Sequence, residues 1–425
     1  MRMPRNSASA GTPLHSLSCT RNTTNGGVSY TYSCTNTQST ATSCSTASPL
    51  LYSSSAATSS SCSTTPAGAD YVSQSGLGGT IASRTAYKLY IQPKVCDATV
   101  GLESNCTKYG TTASPIHKPE GLMQKYASKL RYSAFGYLND NSSARDGGVM
   151  RARMKYIGPT QPVPGSSAIS NSVAEWNSST GIMLANPDTA DTSETIAFAQ
   201  AQTGLTPTLQ HSGVMNYLNR FGSATGVYKS YDPLGELYYA GLRYYRKLGP
   251  VASYSSLSGI GSTAALNNLI DGFPVITRWD DPIVYSCQKN FIIGIGDVNT
   301  WNDANLQGST IRTSAEPALP AEVAADTGID VKKATDMVGQ LEGIANLGSY
   351  SSGRNNSYFI AGLAYHAHTN DLRSDLSGAQ TVNTFWVDVL ENQYYLPRNQ
   401  FWLAAKYGGF EVPGGDEQHR SLRWW

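Results

Sequence analysis

The chain has 425 residues, 40% hydrophobic and 14% charged, and its 31 basic and 30 acidic side chains leave a formal net charge of +1. Nucleic acids and anionic membranes attract clustered positive charge, so this balance favours neither as a partner. No apolar stretch reaches the ~20 residues of a membrane-spanning helix, and the first residues lack the apolar core of a signal peptide.

Residues 1–85 are rich in Ser and Thr and contain runs such as STATSCSTAS, with no persistent helical or strand period. Such a segment buries too little apolar surface to order itself, so we predict a loop-rich or disordered region. Six of the seven cysteines fall in the first quarter of the chain: Cys19, Cys34, Cys44, Cys62, Cys96 and Cys106. Without a CxxC pair, they are typical of disulfides in an oxidising compartment rather than of zinc; free thiols in a reduced protein are the alternative.

The next segments alternate between helical and strand patterns. Residues 118–130 place apolar side chains at helical spacing after Pro119, which predicts a helix. Residues 131–138 and 149–158 predict a hairpin whose alternating basic residues form an exposed face. The polar stretch at about 157–225 is interpreted as a loop-rich insertion.

The clearest helix covers residues 233–248, with Asp232 as its N-cap. The strand FIIGIGD (291–297) is apolar at both inward and outward positions, which predicts a sheet covered on both faces, with the lone Cys287 beside it unpaired in the core. Helices in 331–348, 357–371 and 399–409 alternate with a strand in 381–391. The predicted fold is α/β, with a doubly wound, mainly parallel sheet.

Seven segments carry a family resemblance. KVCDATVGLESNC, KPEGLMQKYASKLRYSAFGYLND, RDGGVMRARMKYIG, KSYDPLGELYYAGLRYY, NFIIGIGDVNTWND, AYHAHTNDLRSDLSGAQTVNTFWVDV and NQFWLAAKYGGF resemble, in this order, the N-terminal half of the PilC/PilY family of type IV pilus tip proteins. The resemblance covers residues 86–411 and implies a von Willebrand factor A-like domain, with residues 412–425 as a non-matching tail.

The resemblance also implies a function. It indicates a non-enzymatic factor of pilus biogenesis and an adhesin, exported through the periplasm to the pilus tip or outer cell surface. Minor pilins and host cell surfaces are the implied partners. The family's signal peptide and C-terminal β-propeller are not in this sequence, so we interpret the chain as a fragment or a truncated product.

An A-like domain often holds a metal ion at the carboxyl ends of its strands, and Mg or Ca is therefore expected only in the full-length protein. Three loops would supply the ligands. Asp97 and Thr99 lie in DATVG, which lacks the last hydroxyl of the first loop; Ser230 stands near the second; and Asp297, which ends a strand, fits the third. Asp297 is thus the metal candidate, and a turn carboxylate is the alternative.

Two further patterns are weighed against simpler interpretations. Asp297, Asn299 and Asp303 form a loose calcium-loop pattern, which Trp301 disfavours because it occupies a ligand position. His366 and His368 are two residues apart on a helix and therefore point about 200° apart. No nucleophile, metalloprotease or nucleotide motif occurs.

Two expectations complete the sequence analysis. The alternative function is an α/β hydrolytic enzyme, or a soluble A-like binding protein unrelated to pili, in which Asp297, His366 or His368 would line one pocket. We also predict that Cys96 and Cys106 form a disulfide that closes the loop DATVGLESN.

Overall fold

The computed structural model describes residues 95–140, 145–222, 228–298, 300–314, 316–352, 354–389 and 397–411, together with four strands nearer the N-terminus. The chain divides into two compact units, Met1–Val95 and Cys96–Trp425. The first unit contains two antiparallel pairs: β1 (His15–Thr23) with β2 (Tyr30–Gln38), and β3 (Tyr71–Val72) with β4 (Ala86–Tyr87). The rest of the segment predicted to be loop-rich lies outside the described residues.

The second unit mixes strands and helices along the chain. Its strands are β5 (Cys106–Gly110), β6 (Pro115–Pro119), β7 (Tyr132–Gly136), β8 (Val149–Lys155), β9 (Thr160–Val163), β10 (Ser166–Ser170), β11 (Asn290–Gly296) and β12 (Val382–Asp388). Its helices are α1 (Leu122–Lys125), α2 (Thr189–Thr203), α3 (Val214–Arg220), α4 (Leu234–Tyr245), α5 (Ala252–Ser255), α6 (Thr263–Ile270), α7 (Ala321–Ala324), α8 (Val331–Glu342), α9 (Phe359–Thr369) and α10 (Gln400–Tyr407). None of the described helices is long and apolar enough to cross a lipid bilayer.

Every sheet among the described residues has two strands, and β11 with β12 is the parallel pair. The prediction of a mixed α/β chain is confirmed. The wider prediction of a doubly wound parallel sheet is matched only by this pair. Between β8 and β11 the described chain forms the short antiparallel pair β9–β10 and a series of helices, and neither of these strands joins β11. The predicted hairpin is present as β7 and β8, paired antiparallel.

Helix α4 is the centre of the largest hydrophobic cluster, where it packs with α9 and β12. Tyr238 and Leu242 of α4 are 4% and 0% exposed, and Leu363 of α9 is 0% exposed. The helix begins at Leu234 and its N-cap is Pro233 rather than Asp232, which corrects the predicted cap. In its first turn, Gly235 N–H donates to the remote carboxylate of Asp303, at 2.5 Å from Oδ1.

Two further predictions in the second unit need correction. The helix predicted over 118–130 is a single turn, α1, and its apolar stripe is exposed, with Leu122 at 71% and Leu130 at 40%. Without a surface to pack against, an isolated short helix gains too little to propagate. Cys287 is free as predicted, but it is exposed rather than buried in the core.

The hairpin's basic residues are not an exposed face either. Arg151 is 1% exposed and donates to the carbonyls of Ile270 and Pro274, each at 3.2 Å. Arg153 pairs with Asp191 at 2.6 Å and also with Glu194, both of which belong to α2. This helix lies inside the stretch predicted to be a loop-rich insertion, and the ion pairs explain why a polar segment folds onto a basic strand.

A buried fork joins the segments that precede the two parallel strands. Arg373 is 3% exposed, and its Nη1 and Nη2 donate to the two carboxylate oxygens of Asp281, each at 2.8 Å. The guanidinium hydrogen bonds lower the pKa of Asp281 to about 2. Because this pKa lies below that of an unfolded aspartate, ~3.9, the pair stabilises the fold above about pH 4.

We therefore predict that the free energy of unfolding falls by about 2 kcal/mol as the pH drops from ~4 to ~2. Asp281→Asn should abolish this acid-dependent loss, because the variant already lacks the contribution that the pair makes at neutral pH. Urea titrations over this pH range measure both effects. Exposed Glu411 supplies the control, Glu411→Gln. If Asp281→Asn keeps the acid-dependent loss of the wild type, the fork is not its source.

The structure joins Cys96 and Cys106 in a disulfide across ten positions of sequence. We predict that non-reduced peptide mapping by mass spectrometry recovers these two cysteines as one linked peptide pair. Cys287 is the internal control, because it should be alkylated without reduction. Alkylation of Cys96 and Cys106 in the unreduced protein would contradict the pairing.

Candidate functional site

The parallel pair has two unlike faces. In the register Asn290 with Val382 to Gly296 with Asp388, even-numbered positions of both strands share one side and odd-numbered positions the other. We call these the inner face and the outer face.

The inner face packs on α4 and α10. Tyr238 of α4 contacts Thr384 through their hydroxyl oxygens at 2.7 Å, and Trp386 stacks on Phe401 of α10 with 4.3 Å between ring centroids. Gly294 is required beside Trp386, because a Cβ there would lie 1.9 Å from the ring. The inner face is therefore specified by close packing.

The outer face is apolar and open. Ile293 is 68% exposed, Ile295 is 55% exposed and Phe291 is 38% exposed. On the neighbouring strand Val387 is 52% exposed, and Phe385 is half-buried. The prediction of a sheet covered on both faces is therefore wrong for the described part of the chain. The same apolar pattern produced an uncovered face.

Acidic residues collect at the carboxyl end of the pair. Asp297 directly follows β11. Asp388 is the last residue of β12 and pairs with Gly296, the residue before Asp297. Burial, and then the negative charges of Asp297 and Asp303, raise the pKa of Asp232 to about 8. Burial raises the pKa of Asp388 as well, with Asp297 contributing. The structure thus places Asp297 beside two other carboxyl groups, as expected for a strand-end site.

These carboxyl groups do not close into a three-ligand set. In the described residues, the group of three or more His, Cys, Asp or Glu whose ligand atoms all lie within 4.8 Å of one another is Cys96, Glu103 and Cys106. Both of its sulfurs belong to the disulfide, so it offers no thiolate. Asp297 stays a metal-ligand hypothesis.

The other residues of the predicted metal loops are placed differently. Thr99 donates its hydroxyl to Asp97 Oδ1 at 2.8 Å in a local turn, and both residues belong to the disulfide loop. Ser230 is exposed. Asp303 is fully buried and bonds the start of α4, while Asn299 lies outside the described residues. Asp303, the third residue of the loose calcium pattern, is thus engaged by the first turn of α4.

The two histidines are remote from the acidic end. His368 Nδ1 lies 3.0 Å from Asn383 Oδ1, near the first residue of β12. Asn383 pairs with Phe291, and the five steps along β11 from Phe291 to Gly296 correspond to roughly 17 Å. Burial lowers the pKa of His366 on the same helix, with the charge of Arg246 adding to the effect. Asp297 and the histidines therefore do not line one pocket.

The second unit also has an open cleft of about 420 Å³ between the hairpin and the loop before β11. Its lining includes Arg131, Lys155, Tyr156 and Tyr285, and contains neither a carboxylate nor a histidine. Histidine and carboxylates are the residues most often used as general acids and bases, and the lining of this cleft offers neither.

Together, the fold and the site define a mixed α/β module with one exposed apolar sheet face. Residues 139–374, more than half of the chain, match a family model described as PilY1 homolog, second domain. The Type IV pilus biogenesis factor PilY1 homolog of Xylella fastidiosa is 44% identical over 366 residues, which are 80% of this chain and 29% of that protein. No solved structure matches.

This chain belongs to the PilY1 family of type IV pilus proteins. The resemblance found in the sequence is thereby confirmed, and the chain spans less than a third of the length of the curated relative. Sequence reasoning missed the openness of the outer face. The segment FIIGIG contains no polar residue that would identify one face of the strand as exposed to solvent.

A pH effect is expected at the acidic end. Asp232 takes up a proton on folding, because its pKa of about 8 exceeds that of an unfolded aspartate. Stability should therefore fall as the pH rises from about 4 to about 8, and Asp232→Asn should lessen that fall. We predict a melting temperature for the variant several degrees above that of the wild type near pH 8, and equal to it near pH 4. Differential scanning fluorimetry measures this, with Glu411→Gln as control; parallel pH profiles of variant and wild type would contradict it.

Proposed function

We propose that this chain is the non-enzymatic part of a type IV pilus-tip assembly factor and adhesin that holds a partner on the outer face of the β11–β12 pair. The observation that carries the proposal is the exposure of this apolar face. The relative that shares 80% of the chain is named a type IV pilus biogenesis factor, which supplies the cellular setting of the proposal.

Parallel strands are ordinarily covered on both sides. Here one side of the pair packs on α4 and α10, while Ile293, Ile295 and Val387 are each more than half exposed on the other. A contiguous apolar surface of this kind marks an interaction site. Burying one such isoleucine contributes about 1.5–3 kcal/mol to the free energy of binding. Burial of a few of these side chains therefore supplies a large part of the ~8 kcal/mol of a micromolar complex.

The partner that fits is an extended segment of a minor pilin, with a host cell surface as a second destination. Among the described residues, β11 and β12 each have one strand neighbour. The side of β12 away from β11 is partly occupied, since Thr384 N–H donates to the Gly408 carbonyl at 2.7 Å. We therefore assign strand addition to the edge of β11 beyond Phe291, whose carbonyl already accepts from the Tyr245 hydroxyl. Backbone groups there would bind an extended segment whose side chains lie beside those of the outer face.

The remaining predictions belong to the same proposal. A von Willebrand A-like arrangement is supported by the parallel pair with helices α4 and α10 on its inner face and carboxylates at its carboxyl end. A non-enzymatic role is supported by the separation of Asp297 from the histidines and by the lining of the cleft. An extracellular location at the pilus tip or outer surface is supported by the disulfide and by the relative's name.

The test places one charge on the outer face. We expect Ile293→Asp, introduced into the full-length protein, to weaken binding to purified minor pilins by tenfold or more, since one lost apolar contact of about 1.4 kcal/mol corresponds to a factor of ten. Surface pili, counted by electron microscopy in cells that rely on the variant, should fall in parallel.

Val100→Asp is the matched control, because Val100 is 87% exposed and lies in the loop that the Cys96–Cys106 disulfide closes. Both variants should keep the circular dichroism spectrum and melting temperature of the wild type. Normal pilin binding and piliation by Ile293→Asp would reject the outer face as the binding surface. Normal pilin binding with lost adhesion to host cells would move the site to the second partner.

A further inference from the structure

A group of buried acids lies around Asn305, apart from the strand-end carboxylates. We call Asp146, Glu236, Asn305 and Glu316 the Asn305 cluster; their exposures are 3%, 0%, 0% and 8%. They come from three remote parts of the chain: Asp146 precedes β8, Glu236 lies in the first turn of α4, and Asn305 and Glu316 lie in the loop after β11. Nothing in the proposed partner-binding face involves them.

Asn305 contacts two of the acids directly. Its backbone N–H donates to Glu236 Oε1 at 2.6 Å, and its Nδ2 donates to Asp146 Oδ2 at 2.5 Å. The neighbouring Ala304 N–H donates to Glu316 Oε1 at 3.0 Å. These bonds hold one oxygen of Asp146 and one of Glu236, whereas Glu316 is held through both oxygens, because its Oε2 accepts from Thr313 N–H at 3.0 Å.

Three buried oxygens of this cluster accept no hydrogen bond from an N–H or from a hydroxyl: Asp146 Oδ1, Glu236 Oε2 and Asn305 Oδ1. The Glu236 carboxyl also contacts that of Asp303. An unsatisfied buried polar atom costs about 1–3 kcal/mol, and more when it carries charge. Three such atoms in one cluster are therefore a concentrated cost. Unexplained groups of this kind point to an unseen proton, water or ion.

The cluster also lacks a protein cation. In the described residues, none of its three carboxylates lies within ion-pair distance of a basic side chain. The nearest candidates are engaged elsewhere: Lys229 Nζ donates to the Arg145 carbonyl at 2.9 Å, and Arg312 Nη2 donates to the Pro317 carbonyl at 2.9 Å.

The donor set is entirely oxygen, two carboxylates and one amide carbonyl, which is the chemistry of a hard divalent cation. Calcium accepts carboxylate and amide oxygens in flexible cages, whereas magnesium retains several waters in a strict octahedron. An enclosed set on three separate segments therefore suits calcium better. We propose that the Asn305 cluster binds one calcium ion, with Asp146, Glu236 and Asn305 as its protein ligands.

Such an ion would be structural. It joins the loop after β11 to the first turn of α4 and to the segment before β8, and so offsets the repulsion among the acids. Ligand binding to the folded state alone raises its stability by mass action. We expect chelation to lower the melting temperature by roughly 5–10 °C, and calcium to restore it more effectively than magnesium.

The experiment uses the whole chain purified without chelator. Elemental analysis after gel filtration should find close to one calcium per chain, and EGTA should lower the melting temperature. Asp146→Asn and Glu236→Gln, each nearly isosteric, should bind calcium at least tenfold more weakly in calorimetry and lose most of the response to EGTA. Glu411→Gln should keep both properties.

Other outcomes overturn the proposal. A wild-type chain without bound calcium, and indifferent to EGTA and added calcium, excludes the site even if the variants fail to fold. A Glu236→Gln variant that is more stable than the wild type in EGTA and in calcium alike would mean that shared protons satisfy the cluster. Loss of the ion in Asp297→Asn, with retention in Asp146→Asn, would place the calcium at the strand end instead.

Discussion

The enclosure of helix α4 is the constraint on which the rest of the second unit depends. A helix buried on nearly every side must place each of its polar groups against a partner from another segment. Tyr239 donates to Asp326 at 2.7 Å, and Tyr245 donates to the Phe291 carbonyl at the start of β11 at 3.0 Å. These contacts position the parallel pair and the loops around it, so the helix determines where the acidic end and the outer face lie.

The sequence was sufficient to locate the regular elements near α4. Helix α8 has an apolar stripe, and Asp330, at its N-cap, accepts a hydrogen bond from Lys333 N–H at 3.0 Å, while Gly343 ends it in the left-handed region. Such local signals do not depend on tertiary context. The state of the outer face does depend on it. An all-apolar strand is compatible with two covered faces or with one covered face and one surface for a partner, and only packing distinguishes them.

Buried charge explains most of what sequence patterns could not predict. Arg151 was assigned to an exposed face because arginine is normally solvated, yet distant carbonyls satisfy it inside the protein. Helix α2 lies in a polar stretch whose composition predicts a loop, although Arg153 pairs with two of the acids of the helix. The Asn305 cluster follows the same logic. Its members lie on three separate segments and share no sequence motif, and only the fold brings them together.

Alternation along β11 separates the demands of stability from those of attachment. Gly294 faces the Trp386 ring and cannot gain a side chain without displacing it, whereas its neighbours Ile293 and Ile295 face outward and remain more than half exposed. Outward positions contribute little to folding, because apolar stabilisation scales with the area removed from water. The surface offered to a partner can therefore change by substitution at every second residue while the inner packing stays intact. A strand of this kind joins a closely packed interior to an exposed apolar face, and the partner binding proposed for that face would therefore need no change in the core.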